Sequence, residues 1–194
     1  MSHDISPSAD PAAGANCPTD AEAGSESPEV AFQRYAEAIN HGDWCEAAST
    51  FAVSARLDLA EANFKALILL AGAANPKREG YQAQLMDFCS KHALSCQDPK
   101  WIEQAAADMM TGTDVAPKLA EFRQFASDGP AQVYRDLTLH MGAVDASVLT
   151  KFEPVLREVQ VTAAKATAEA IRQDGSATRI NLVKTETGWV LTVR

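Results

Sequence analysis

The chain has 194 residues, of which 46% are hydrophobic, and a formal net charge of −9. That length and composition suffice for one domain of ordinary size with a buried core. An acidic chain without a basic stripe is poorly suited to nucleic acid or an anionic membrane surface, so neither partner is expected.

Residues 1–27 are predicted to form a disordered acidic tail. The segment is rich in Ser, Ala, Pro, Gly, Asp and Glu, and Ile5 is its single large aliphatic residue. It therefore cannot bury enough apolar surface to offset the entropy of ordering. No apolar leader is visible in it, so the chain as written is expected in the cytoplasm. The alternative is an exported protein whose leader is missing from this sequence.

Two helices are predicted directly after the tail. Ser27 is a typical N-cap, Pro28 suits the first helical position, and Gly42 suits the left-handed residue that ends a helix. Asp43 is expected to cap a second helix, with Glu46 three residues later completing a capping box. The predicted domain therefore begins at Pro28 and extends to residue 194.

Five further helices are predicted from apolar residues repeated at helical spacing. The stretch Ala66–Ala74 is the longest apolar run, and it is too short to span a membrane. A short helical turn is expected around Ser147–Phe152, ended by Pro154. The five helices are predicted at about Leu57–Ala73, Gly80–His92, from Asp98–Pro99 through Met109, Pro117–Ala126 and Ala131–Met141.

The hydrophobic period changes after Leu156 from that of a helix to that of a strand. Alternating residues predict four short strands, with Asp174-Gly175 and Thr187-Gly188 at the hairpin turns. Helices over 28–152 and a sheet over 156–194 together predict an α+β fold, in which a helical layer packs on a curved antiparallel sheet of about four strands.

The four cysteines have different predicted roles. Cys17 lies in the tail, and Cys45 lies on an apolar helix face, where it is interpreted as a small buried hydrophobic residue. Cys89 and Cys96 flank a short loop and could form a disulfide in an oxidising compartment. With His92 and Asp98 they offer a metal-binding alternative, but structural zinc sites usually use two paired clusters, so no metal is expected.

Both ends of the domain resemble bacterial nuclear transport factor 2-like domains. The segment 27–48, with its aromatic helix face and Gly42-Asp43-Trp44, is similar to the first two helices of that superfamily. The segment 177–193, with Val183-Lys184 and Gly188-Trp189-Val190-Leu191, is similar to its last hairpin. The resemblance implies a divergent, cone-shaped member with a helical insertion and a pocket between the helices and the sheet. Its speculative lining is Tyr35, Trp44, Phe64 and Trp189.

Few residues are candidates for catalysis. His41 lies at a helix end, where a cation is favourable, and Asp43 has the position of an N-cap. His140 has Asp136 one turn before it, a spacing typical of a solvated helix pair. No phosphate-binding loop, nucleophile elbow or zinc-protease motif occurs. No catalytic residue and no cofactor are therefore assigned.

Three functions fit these patterns. The first is a non-enzymatic domain that binds a small ligand or a protein partner, with homodimers formed through the open face of the sheet. The second is a small-molecule isomerase or hydrolyase of the same fold, which would use a buried Asp or His with Tyr35. The third is a helical scaffold for a protein partner, which the strand pattern after Leu156 argues against.

Overall fold

The computed structural model describes Cys17 and residues 22–193. Within these residues, seven α-helices pack on a four-stranded antiparallel sheet, which confirms the predicted α+β fold. The helices are α1 (Pro28–His41), α2 (Trp44–Ser49), α3 (Val53–Gly72), α4 (Arg78–Lys91), α5 (Pro99–Thr111), α6 (Ala116–Ala126) and α7 (Pro130–Val144). The strands are β1 (Phe152–Thr162), β2 (Lys165–Arg172), β3 (Ala177–Thr185) and β4 (Gly188–Thr192).

The first helix begins and ends, and the second helix begins, at the residues that the sequence indicates. The Ser27 hydroxyl accepts a hydrogen bond from the Val30 backbone N–H, and Gly42 adopts a left-handed φ of 77° at the end of α1. The Asp43 carboxylate accepts from the Glu46 N–H at 3.0 Å. These contacts satisfy backbone groups that have no partner within the helices themselves.

Helix α3 begins at Val53, four residues earlier than predicted. Ala52 precedes it and has no side chain that could cap the helix. The cap comes instead from Glu22, whose carboxylate accepts from the Val53 N–H at 2.8 Å. A cap supplied from 31 residues away leaves no local pattern, so sequence reading could not place this boundary.

Helix α3 lies at the centre of the helical layer and contacts α4, α5, α6 and α7. It approaches α5 closely at Gly72, where a Cβ atom would lie 2.2 Å from the Cβ of Ala106. A larger residue at Gly72 would therefore push the two helices apart.

The sheet is an antiparallel meander in the order β1-β2-β3-β4. Helix α1 contacts both edge strands, β1 and β4, so the sheet curls around this helix. Small residues of β2, Ala166 and Ala170, pack in the same core as Leu182 and Leu191 of β3 and β4. We call this the inner face of the sheet.

Strand β1 begins at Phe152, not at Leu156, and the helical turn predicted for Ser147–Phe152 is wrong over its second half. The observed 3-10 turn spans Ala146–Val148. Pro154 lies inside β1, near a register irregularity of this edge strand. Proline is tolerated there because an edge strand leaves one row of N–H groups without a partner strand.

The two edges of the sheet differ. Strand β4 is covered by an N-terminal strap, which we define as Cys17 and residues 22–25. The Ser25 N–H donates to the Trp189 carbonyl at 3.1 Å, and the Trp189 N–H donates back at 2.7 Å. Gly188, with a φ of 128°, lies so close to Ser25 that a Cβ would meet its carbonyl at 2.5 Å. Among the described residues, no strand covers the outer edge of β1.

Two sequence expectations need correction at the strap. The predicted disordered tail mostly lies outside the described residues, but residues 22–27 are ordered against the domain. Cys45 is not a free buried thiol, because it forms a disulfide with Cys17, 28 positions before it. In the described part of the chain, no helix is long and apolar enough to cross a bilayer.

Candidate functional site

The space between α1 and the sheet contains aromatic rings. Tyr35 meets Phe51 edge to face, with ring centroids 5.4 Å apart, and lies 5.9 Å from the ring of Phe152. Phe32 packs on Phe152 at 5.7 Å. Asn40 fixes this arrangement, because its amide donates to the Phe152 carbonyl at 2.8 Å and accepts from the Phe152 N–H at 3.2 Å. The predicted pocket residue Tyr35 is therefore part of a packed ring cluster.

The chemistry of Tyr35 follows from this burial. Desolvation raises the pKa of its phenol well above the usual value, and the nearby Tyr134 phenol raises it further. Desolvation also raises the pKa of Tyr134, to about 12. Both phenols stay protonated near neutral pH, so neither acts as a general base there.

The other three residues predicted to line a pocket lie in different parts of the core. Phe64 of α3 stacks on Phe122 of α6, with parallel rings and centroids 4.0 Å apart. Trp44 is buried at the start of α2, and Trp189 is buried on β4 beside the strap. That these residues line one pocket with Tyr35 stays a prediction.

Cys89 and Cys96 form a disulfide that closes the loop after α4. Their thiols are therefore not available as metal ligands in this structure. His92, between them in sequence, packs on Phe88 and Phe125, with ring centroids at 4.8 and 4.5 Å. Within the described residues, no group of three or more His, Cys, Asp or Glu side chains is arranged to hold a metal ion.

The remaining polar candidates make ordinary structural contacts. His41 is hydrogen-bonded through Nδ1 to the Glu37 carbonyl at 2.8 Å, one turn before it. The Nδ1 of His140 pairs with the side-chain oxygen of Gln84 of α4 at 2.6 Å, and Asp136 accepts from Gln132. His41 lies at the end of α1, and Asp136 and His140 lie on α7. Their hydrogen bonds are to residues outside the ring cluster around Tyr35.

In the described residues, the outer face of the sheet, opposite α1, carries mostly exposed or half-buried side chains over β1, β2 and β3. Register fixes its composition, because residues directly opposite each other share a face. One row across the three strands is Arg157, Glu169 and Arg179, with charges that alternate in sign. The next row is Gln160, Thr167 and Asn181, all uncharged hydrogen-bonding residues. We call these six residues the outer face.

The charged side chains of the outer face are neighbours across three strands. Arg157, Glu169 and Arg179 make no ion pair in the described part of the chain. Arg157 and Arg179 are exposed and Glu169 is half-buried. All three charged groups therefore remain accessible to a partner that approaches from solvent.

A β-bulge shapes one side of the outer face. Between Arg157 and Gln160 the register of β1 shifts against β2, and Glu158 adopts a φ of 51°. A non-glycine residue in this left-handed region is uncommon and bends the strand locally. Glu158 thereby joins Gln160, Thr167, Glu169 and Arg179 around a shallow cavity of about 120 Å³.

Sequence reasoning did not single out any residue of the outer face. Alternation located the strands, but it does not by itself set the register of β2 against β3. The available signal for that register was the turn at Asp174-Gly175. Counting back along both strands from this turn would have placed Glu169 opposite Arg179.

No family model, curated protein or solved structure matches this chain. The resemblance to nuclear transport factor 2-like domains therefore stays a prediction.

Proposed function

We propose that this is a non-enzymatic protein-interaction domain that self-associates through the outer face of its sheet. The observation that carries the proposal is a contrast between the two faces. Aromatic rings pack between the inner face and α1, whereas, among the described residues, the charged side chains of the outer face form no salt bridge and no helix packs over them. The resemblance to nuclear transport factor 2-like domains agrees with a curved sheet whose open face forms a dimer interface.

The outer face is self-complementary under two-fold symmetry. Glu169 and Arg179 lie opposite each other on β2 and β3. A two-fold axis parallel to these strands, running between them, would place Glu169 of each copy against Arg179 of the other. In an isologous interface each such contact occurs twice. The same operation would pair Thr167 with Asn181, a hydroxyl with an amide.

The chemistry of the face also indicates the strength of the contact. The outer face has no aromatic or large aliphatic side chain, whereas the centre of a stable interface is usually apolar and rich in aromatic residues. Polar contacts of this kind give specificity and registry more than affinity. The association is therefore proposed to be reversible and sensitive to salt.

The enzyme alternative receives less support from the interior. An isomerase or hydrolyase would need a group that exchanges protons near neutral pH beside the substrate. Tyr35 does not meet this need, because burial holds its pKa well above the usual value. His41 and His140 hydrogen-bond to residues outside the ring cluster.

The two disulfides bear on where the domain works. Cys17–Cys45 and Cys89–Cys96 would persist in an oxidising compartment and be reduced in most cytosols. We propose an oxidising compartment, which agrees with the exported alternative and not with the cytoplasmic one.

Sedimentation equilibrium of charge-inverted variants tests the interface. Glu169→Arg and Arg179→Glu should each weaken dimerisation about tenfold or more, because each places like charges against each other twice. The double exchange, E169R with R179E, should restore dimers, since the reciprocal pairs re-form with their signs exchanged. Glu186→Arg, in the exposed turn before β4, is the matched control and should leave association unchanged.

Two results would overturn the proposal. One is a wild-type chain that stays monomeric at millimolar concentration in low salt. The other is a dimer that E169R weakens no more than E186R does. Circular dichroism of each variant would confirm that the sheet is intact.

A further inference from the structure

A second feature lies at the rim of the sheet, away from the outer face. The loop between the 3-10 turn Ala146–Val148 and β1 runs beside the β2–β3 hairpin, where the Gln173 N–H donates to the Lys151 carbonyl at 3.0 Å. Between these two segments is a cavity of about 560 Å³. That volume is in the range of sites for small molecules.

The residues that line this rim cavity include two cations and one carboxylate, although the chain as a whole has a net charge of −9. Lys151 comes from the loop, and Arg172 comes from the end of β2. The carboxylate in the lining is that of Asp174, which accepts from the Ser176 N–H at 2.8 Å and from its hydroxyl at 2.6 Å. These hydrogen bonds hold Asp174 within its own turn and lower its pKa, to which the nearby charge of Arg172 also contributes. No salt bridge joins Asp174 to Arg172 in the described residues.

The guanidinium of Arg172 has unused hydrogen-bonding capacity. Its Nη1 makes a long contact of 3.4 Å with the Ser176 hydroxyl, and its Nε is shielded from solvent without a hydrogen-bond partner. A buried donor without a partner costs free energy, and native structures usually provide a partner, an ordered water or an ion. Arginine binds oxyanions through two parallel N–H bonds, one of which can come from Nε.

We propose that the rim cavity binds the oxyanion group of a small ligand, a carboxylate or a phosphate. Arg172 turns towards the cavity and holds the group through Nε and one terminal nitrogen. Lys151 contributes a second positive charge from the opposite wall. The site lies apart from the outer face, so it does not depend on self-association.

The test is a titration of the isotope-labelled full chain, followed by amide chemical shifts at constant ionic strength. The probes are inorganic phosphate and acetate. Each probe replaces an amount of chloride that carries the same charge. The proposal expects saturable shifts in residues 146–151 and 172–176. Saturation by phosphate alone assigns a phosphorylated ligand, and saturation by both probes assigns oxyanions in general.

Variants identify the groups responsible. Arg172→Gln should weaken binding about tenfold or more, because it removes a charge-assisted pair of hydrogen bonds. Arg172→Lys should recover only part of the loss, since lysine keeps the charge without the planar fork. Lys151→Gln, at an exposed position, should weaken binding several-fold.

Lys100→Gln is the charge-matched control, because Lys100 is exposed at the start of α5 and distant in sequence from the cavity. It should leave binding unchanged. The proposal is overturned if neither probe gives saturable shifts in the two segments. It is also overturned if R172Q and K151Q both bind as tightly as K100Q.

Discussion

At the scale of single residues, the centre of the helical layer is the stacked pair Phe64 and Phe122. Both rings are nearly inaccessible to solvent, and they belong to helices α3 and α6. Tilted ring contacts with Phe88 and Phe125, at centroid distances of 6.2 and 6.5 Å, extend the cluster. Burial at i, i+3 and i+4 is a local pattern, so helical spacing can indicate which residues of a helix face the core. Which rings would touch is not local, and the sequence does not show it.

Phe64→Ala should lower the free energy of unfolding by about 3–5 kcal/mol, since it leaves a cavity where a large ring was fully packed. Urea denaturation followed by circular dichroism measures the change. Met110→Ala is the control, because the Met110 side chain is 64% exposed and its truncation should change stability little. A similar loss in the two variants would contradict the packing described for Phe64.

At the scale of elements, His92, which follows α4, and His140 of α7 both pack on the ring of Phe88 of α4, and burial disfavours the charged form of each histidine. Burial, then Lys91, lowers the pKa of His92, and burial is also the largest cause of the lowered pKa of His140. Asp136 and Asp87 oppose these shifts only in part. The folded protein therefore binds these protons less tightly than the unfolded chain.

It follows that the free energy of unfolding should decrease as the pH falls through about 6.5, the ordinary value for histidine. The decrease should continue until the pH is below the folded-state values. Urea midpoints at pH 7.5, 6.5 and 5.5 measure this slope, and the double variant H92Q with H140Q should flatten it. An unchanged slope in that variant would contradict the account.

Two carboxylates affect the free energy of unfolding in a lower range of pH. The Lys77 ammonium group, followed by Ser147, lowers the pKa of Asp145 to about 2, and Lys65 and Arg123 lower that of Glu61. Their contribution is present above the unfolded-state values near 4 and is lost as the pH falls below them. The two ranges can therefore be measured separately.

The N-terminal strap shows what local patterns miss at this scale. Its composition indicates disorder, and residues 22–25 contain no large apolar residue. Its order comes from backbone pairing with Trp189, from the Glu22 cap on α3 and from the disulfide to Cys45. Each of these contacts joins residues far apart in the chain, so no window of sequence contains the signal.

The two disulfides should differ in their contribution to stability. In the chain-entropy description, a cross-link over 28 residues is worth about 3–4 kcal/mol and one over 7 residues about 2 kcal/mol. The double variant C17A with C45A should therefore lose more stability than C89A with C96A. Urea denaturation of both variants checks the order, and the reverse order would contradict an ordered strap.

At the scale of the whole molecule, the α+β fold was predictable and the candidate site was not. The hydrophobic period changes from that of a helix to that of a strand after Leu156, and two hairpin turns follow. These signals were sufficient to predict a helical layer followed by an antiparallel sheet. The alternating charges of Arg157, Glu169 and Arg179 become a row only when three strands are in register. The bulge at Glu158 shifts that register by one residue, and the local sequence contains no signal that predicts the bulge.

The most direct test of self-association through the outer face is a dilution series of the labelled protein, followed by amide and side-chain chemical shifts. The account predicts concentration-dependent shifts at Thr167, Glu169, Arg179 and Asn181, and none in the turn around Glu186. Added salt should move the same signals towards their dilute positions, because the contacts are polar. Shifts that do not change with concentration, or that occur only outside the outer face, would contradict it.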